Sequence, residues 1–156
     1  MLLIDGYNLL FCVRGFDPKR MEEARNDLVW RIAAHCAATG RRARVFFDPG
    51  RGGHGLRSVR KGPGIEVVQL AEMSADDAIR ELVADSSDRT EYRVVSSDRE
   101  VAGAAERKGF SFMASEQFLA ELEAGERGTP IDKPTTCDPA EAEYWMRIFG
   151  MGGKQT

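Results

Sequence analysis

Residues 1–11 read MLLIDGYNLLF, and the fold turns on how that stretch is understood. Leu2-Leu3-Ile4 is a continuous apolar run of the kind that forms a strand buried on both faces. It ends on Asp5, and Gly6, Tyr7 and Asn8 follow at once. A carboxylate at the end of a doubly buried strand is unfavourable unless a partner meets it there. The rest of the chain indicates where such partners come from.

Two more runs end the same way. ARVFFD (43–48) stops at Asp48, and YRVVSS (92–97) is followed by Asp98. IEVVQL (65–70) and FSFMA (110–114) complete five expected strands. Helical patterns separate them. Asp17 is placed to cap, Pro18 suits a first helical position, and Phe16 with Met21 forms a staple. Met21, Ala24, Leu28, Ile32 and Cys36 then recur at helical spacing until Gly40. Ser74 caps a helix over 75–85, a second spans 99–108, and a third runs from Ser115 to Gly125. The segment 49–64, rich in glycine and proline, reads as a long mobile loop. Alternating strands and helices imply an α/β fold with a mainly parallel sheet covered on both faces.

In such a sheet the carboxyl ends of the strands share one edge, where ligands bind. Asp5 and Asp98 meet there if the first and fourth strands are neighbours. SADDAI (74–79) supplies a further acid. At 100° per residue, Asp76 lies within about 70° of the apolar face formed by Ile79, Leu82 and Val83, whereas Asp77 lies about 165° away. Asp76 therefore leans toward the sheet edge and Asp77 toward solvent. Carboxylates ~4 Å apart repel by roughly 4 kcal/mol at an effective dielectric of ~20, so the cluster needs a shared proton or a cation. Oxygen ligands without histidine favour Mg²⁺ or Mn²⁺. Each acid also has a plainer reading: Asp98 as a helix cap, Asp76 as a dipole partner, Asp5 and Asp48 as turn formers.

The 156 residues suit one domain, expected over 1–125, followed by a proline-containing arm and short helix over 126–156. The tail carries Tyr144, Trp145, Met146, Ile148 and Phe149, whose apolar face packs on the protein's own core or on a partner. Net charge is −3, which excludes a global basic field. Positive charge is concentrated in 41–64, where Arg41, Arg42, Arg44, Arg51, Arg57, Arg60 and Lys61 face Asp48 alone. Arg51, Arg57, Arg60 and Lys61 are the expected phosphate contacts, with no aromatic between Gly50 and Gly64 for base stacking. Three scattered cysteines and two histidines make a structural zinc site improbable and suit free thiols in a reducing compartment. With no run long enough to span a bilayer and no signal-peptide layout, a cytoplasmic protein without a membrane partner is expected.

Taken in order, LLIDGYNLL, EEARNDL, VFFD, SADDAI, VVSSDRE and KGFSFMASEQFLAEL resemble the YacP-like branch of the NYN nucleases, within the PIN-like group, over about 1–122. The resemblance implies a three-layer fold with a five-stranded sheet of order 3-2-1-4-5. It also implies Mg²⁺- or Mn²⁺-dependent endoribonuclease activity. Asp5 and Asn8 match the family's D-G-Y-N opening. Asp76 matches the aspartate of its T-A-D element, with Ser74 for threonine. Asp98 matches its T-S-D element, with Ser96 for threonine and Ser97 retained. Asp5, Asp76 and Asp98 are then the metal ligands. Asn8 orients a carboxylate or touches phosphate, and Ser97 donates to phosphate or a metal-bound water. Asp48 sits in a supporting or ligand position. Asp77 departs from the serine common in the family and adds charge near the site. The resemblance carries a link to ribosomes as well. Oligomeric state is not implied.

Other classes fit less well. DGYNLL lacks the glycine fingerprint of a dinucleotide fold. Tyr7 stands where an aspartyl-phosphate phosphatase has its second acid. FSFMA offers no lysine for a phospho-receiver. A non-catalytic RNA- or ribosome-binding module on the same fold stays as the alternative.

Overall fold

The computed structural model describes residues 1–49 and 58–128. Their elements are β1 (Leu2–Asp5), α1 (Gly6–Phe11), α2 (Met21–Thr39), β2 (Ala43–Phe47), β3 (Ser58–Gly62), β4 (Ile65–Gln69), α3 (Ala75–Asp85), β5 (Arg93–Val95), α4 (Arg99–Arg107), β6 (Ser111–Met113) and α5 (Ser115–Gly128). One 3₁₀ turn, Pro18–Arg20, leads into α2 and is capped by Asp17, whose side chain accepts from the Lys19 N–H. Gly40, at φ 67°, closes α2 in the left-handed conformation that a side chain would strain.

The sheet runs β3-β4-β2-β1-β5-β6. Five strands are parallel, in the expected order, with β1 between β2 and β5. All four residues of β1 are buried, as its apolar run requires. Leu2 and Ile4 point toward α1, α2 and α5, where they join Phe47, Leu28, Ile32 and Phe118. Leu3 points the other way, into a core with Phe46, Val94, Ile79 and Val101 beneath α3 and α4. By alternation Asp5 shares the side of Leu3, so it faces the start of α3.

Three expectations need correction. The segment 49–64 is not all loop: Ser58–Gly62 form a sixth strand, antiparallel to β4. Pro63 and Gly64, the latter at φ 74°, make the tight turn, which suits a proline followed by a glycine. The strand hides from pattern reading because it is charged and exposed, with no alternation. Next, the chain does not simply turn after Asp5: Gly6–Phe11 is a helix. Gly6 is required there by space, since a Cβ would stand 2.4 Å from the buried Phe47 ring. Finally, α5 passes Gly125 and runs to Gly128, where Glu126 forks onto Arg31 of α2. The tail helix, Arg51, Arg57 and Cys137 lie outside the described residues.

Candidate active site

Three acids at the carboxyl edge begin from one local habit. Each spends an oxygen on the amide end of a helix. Asp5 Oδ1 accepts from the Asn8 N–H at 3.1 Å, capping α1. Asp48 Oδ1 accepts from the Ala75 N–H at 2.5 Å, at the head of α3. Asp98 Oδ1 accepts from Glu100 N at 2.7 Å and Val101 N at 3.4 Å, capping α4. The cap reading is therefore right as far as one oxygen goes. It also explains how the cluster is tolerated, because helix amino ends carry partial positive charge toward these carboxylates.

Asp76 lies at the centre. Its carboxyl meets that of Asp5 on one side and that of Asp98 on the other. Its Oδ1 is buried and has no hydrogen-bond donor. Asp5 is only 7% exposed. Burial, followed by the contact with Asp76, pushes its pKa up to about 7. Asp76 is also raised, by burial first and by Asp98. Asp48 adds to the repulsion felt by both. Among the described residues, no three His, Cys, Asp or Glu side chains already close on one point as a finished metal cage. The acids meet in pairs instead, linked through Asp76.

Asp77 faces away. It is exposed and pairs with Arg80, which also reaches Glu100 at 3.8 Å. The extra charge expected from Asp77 is thus offset by a neighbour one turn on, and its side chain stands outside the acid cluster.

Asn8 uses its carbonyl to hold two other segments. Oδ1 accepts from the Ser97 N–H at 2.9 Å and from the Ser115 hydroxyl at 2.7 Å. Ser97 Oγ in turn accepts from the Ser115 N–H at 3.0 Å and donates to Glu116. These bonds fasten α1, the segment after β5 and the start of α5 together beside the acids. Glu116 was not singled out from the sequence. The signal was present, since it follows the fifth parallel strand and opens a helix, as Asp98 does after the fourth. Its carboxyl is held below the usual range, mainly by the Ser97 hydroxyl.

The expected phosphate contacts divide by face. Arg60 pairs opposite Val67 and lines a cleft with it on the α2 side. Lys61, next in the strand, points to the other face and lies 3.8 Å from Glu66, which also holds Arg44. No helix among the described residues is long and apolar enough to cross a membrane.

Comparison with known proteins agrees with this architecture. The crystal structure of Rae1 (YacP) from Bacillus subtilis superposes with a TM-score of 0.64 at 25% identity, covering 97% of this chain and 88% of that one. Its W164L mutant gives 0.67 at 27% identity, covering 92% and 88%. The curated relative "Uncharacterized protein YacP" of Bacillus subtilis (strain 168) is 30% identical over 81% of this chain and 77% of its own length. The family model for the YacP-like NYN domain matches residues 2–141. The chain belongs to the YacP-like NYN domain family, within the PIN-like nuclease superfamily.

Proposed function

We propose that the protein is a Mg²⁺- or Mn²⁺-dependent endoribonuclease whose site is the Asp5–Asp76–Asp98 edge. The observation that carries this reading is the buried, donorless Oδ1 of Asp76 between two further carboxylates. A buried acceptor in that state is unfavourable by about 1–3 kcal/mol, and a hard divalent cation relieves it. The donor set fits in kind: oxygen only, multiply anionic, and helped by neither histidine nor thiol. Asp5, Asp76 and Asp98 would hold the ion. When bound, it supplies a lowered water pKa and compensation for charge developing on a phosphodiester.

The chain's own residues set the geometry. Asp48 fixes the head of α3, and with it Asp76, through the Ala75 N–H. Asn8 fixes the loop that carries Ser97 and Asp98 relative to Asp5. Ser97 and Glu116 border the acids on the α5 side and can orient a phosphate or water by hydrogen bonds. RNA is the substrate class that family membership supports. Ribosome association rests on the family resemblance alone, and co-sedimentation of the protein with ribosomes tests it.

The nuclease reading is tested with a fluorescent single-stranded oligoribonucleotide incubated with Mg²⁺ or with EDTA. Internal cleavage that needs Mg²⁺ and falls at least 100-fold in Asp5→Asn supports it. Cleavage that persists in EDTA or in Asp5→Asn overturns it.

A further inference from the structure

On the α2 side of the same sheet edge lies a cleft of about 430 Å³. Arg25 and Asn26 of α2 form one wall, and Ser58 and Arg60 of β3 the other, with Tyr7 at one end. Arg25 is half-buried. Its guanidinium lies over the Phe47 ring, 4.2 Å from the centroid, and reaches the Tyr7 hydroxyl. No carboxylate among the described residues forms an ion pair with it. Burial lowers its pKa and the charge of Arg60 adds to that, while Tyr7 and Glu22, which also line the cleft, oppose the shift. Arg25 and Arg60 thus place two cationic groups along one half-buried space, where an anionic ligand is attracted to both.

A second, independent feature adjoins the cleft through Tyr7. Tyr7 stacks on Phe11 at 6.2 Å with an 18° interplanar angle, and Tyr7 meets Phe47 edge-on at 5.0 Å. Phe11 is 61% exposed, the most exposed large apolar side chain among the described residues. Its ring is propped by Tyr7 and by Phe16 at 5.6 Å. An exposed ring held flat by its neighbours, near a half-buried and an exposed arginine, is the pairing that binds single-stranded nucleic acid: cations follow the backbone and the ring takes a base. Neither group belongs to the acid cluster. Tyr7, two residues after Asp5, joins the two regions.

We propose that this cleft is a subsite for single-stranded RNA flanking the bond to be cut, in which Arg25 and Arg60 grip a backbone phosphate and Phe11 stacks a base. The assignment rests on the nuclease reading for the identity of the strand. Its chemistry explains how a chain of net charge −3 with an acidic centre retains a polyanion. The glycine-rich segment, without aromatics, is not required to supply stacking. Base stacking on Phe11 requires an unpaired base, so the subsite selects single strands over duplex.

The test uses the full chain carrying Asp76→Asn, to prevent cleavage, with a fluorescein-labelled 12-nucleotide RNA read by anisotropy across salt concentrations. Arg25→Met keeps a side chain over Phe47 without the charge. It weakens binding about tenfold and reduces the salt slope by about 0.7, one phosphate on a single strand. Arg60→Met, on an exposed strand, gives a reduction of the same kind. Phe11→Ala weakens the single strand about tenfold and leaves a hairpin duplex of equal length unchanged. Unchanged slopes in both arginine variants, or equal losses on single strand and duplex for Phe11→Ala, overturn the subsite. If those results come from a protein that still cuts RNA with Asp5 intact, only the subsite fails. If the unmutated chain neither binds nor cuts RNA, the nuclease reading fails with it.

Discussion

At the scale of single residues, two of the three acids of the proposed site, Asp5 and Asp98, each do two things. One oxygen ends a helix and the other faces the shared space, so neither a structural nor a catalytic reading alone accounts for Asp5 or Asp98. This double use has a thermodynamic consequence. Asp5 titrates at about 7 in the folded chain against an ordinary value of 3.8. A raised acid binds more protons when folded than when unfolded between those values. The Asp5 contribution to the stability of the metal-free protein therefore declines as pH rises from about 4 to about 7, by on the order of a few kcal/mol, and levels off above. It is read as the difference between the parent and Asp5→Asn. Urea denaturation of both in EDTA at pH 5, 6, 7 and 8 measures the slope, and a flat or rising difference contradicts it. Asp76→Asn removes one repelling charge, so in EDTA at pH 8 it unfolds at a higher urea concentration than the parent. Adding Mg²⁺ raises the melting temperature of the parent and leaves that of Asp76→Asn nearly unchanged. A variant that Mg²⁺ still stabilises equally contradicts the ligand assignment.

At the scale of elements, β1 and α1 act as one unit. Asp5 ends the strand, caps the helix and faces α3, while Gly6 allows the helix to lie against Phe47. Gly6→Ala forces a methyl into a ring that is fully buried and cannot swing away. The expected loss is about 1–3 kcal/mol in denaturant midpoint, together with reduced activity because Asp5 and Asn8 flank the shift. A neutral Gly6→Ala shows that the Phe47 contact does not constrain α1. The helix itself was hard to foresee. Six residues with Gly6 first and two aromatics offer little helix propensity, and tertiary packing forms it. The opposite holds for α3, where Ser74 capping and the Ile79–Val83 spacing were both readable, and the observed helix has the same limits. Strand β3 was missed for a different reason. Its charged sequence has no alternation, yet Pro63-Gly64 marked the hairpin for a reader attending to turn chemistry.

At the scale of the whole molecule, parallel strands buried on both faces read plainly from the apolar runs, whereas the place of β1 between β2 and β5 was legible only through the family resemblance. From that order, the meeting of Asp5 with the acid at the start of α3 follows by strand alternation and helix angle. The long-range bonds do not. Asn8 reaches Ser115 across 107 positions, and Glu116 reaches Ser97 across 19, through polar side chains that carry no periodic signal. The cleft at Arg25 was invisible for the same reason, being built from α2, β3 and β4 only once the sheet has formed. The molecule thus sets an acidic cluster on one side of its sheet edge and a cationic, aromatic cleft on the other. The two neighbouring aspartates of α3 provide the sharpest contrast within it. Asp76 turns a buried oxygen into the cluster, whereas Asp77 is exposed and paired with Arg80. Initial cleavage rates of one single-stranded RNA, at saturating Mg²⁺, should be compared for the parent, Asp76→Asn and Asp77→Asn. The account predicts a loss of at least 100-fold for Asp76→Asn and less than about threefold for Asp77→Asn. Equal rates for the parent and Asp76→Asn, or a loss confined to Asp77→Asn, would contradict it.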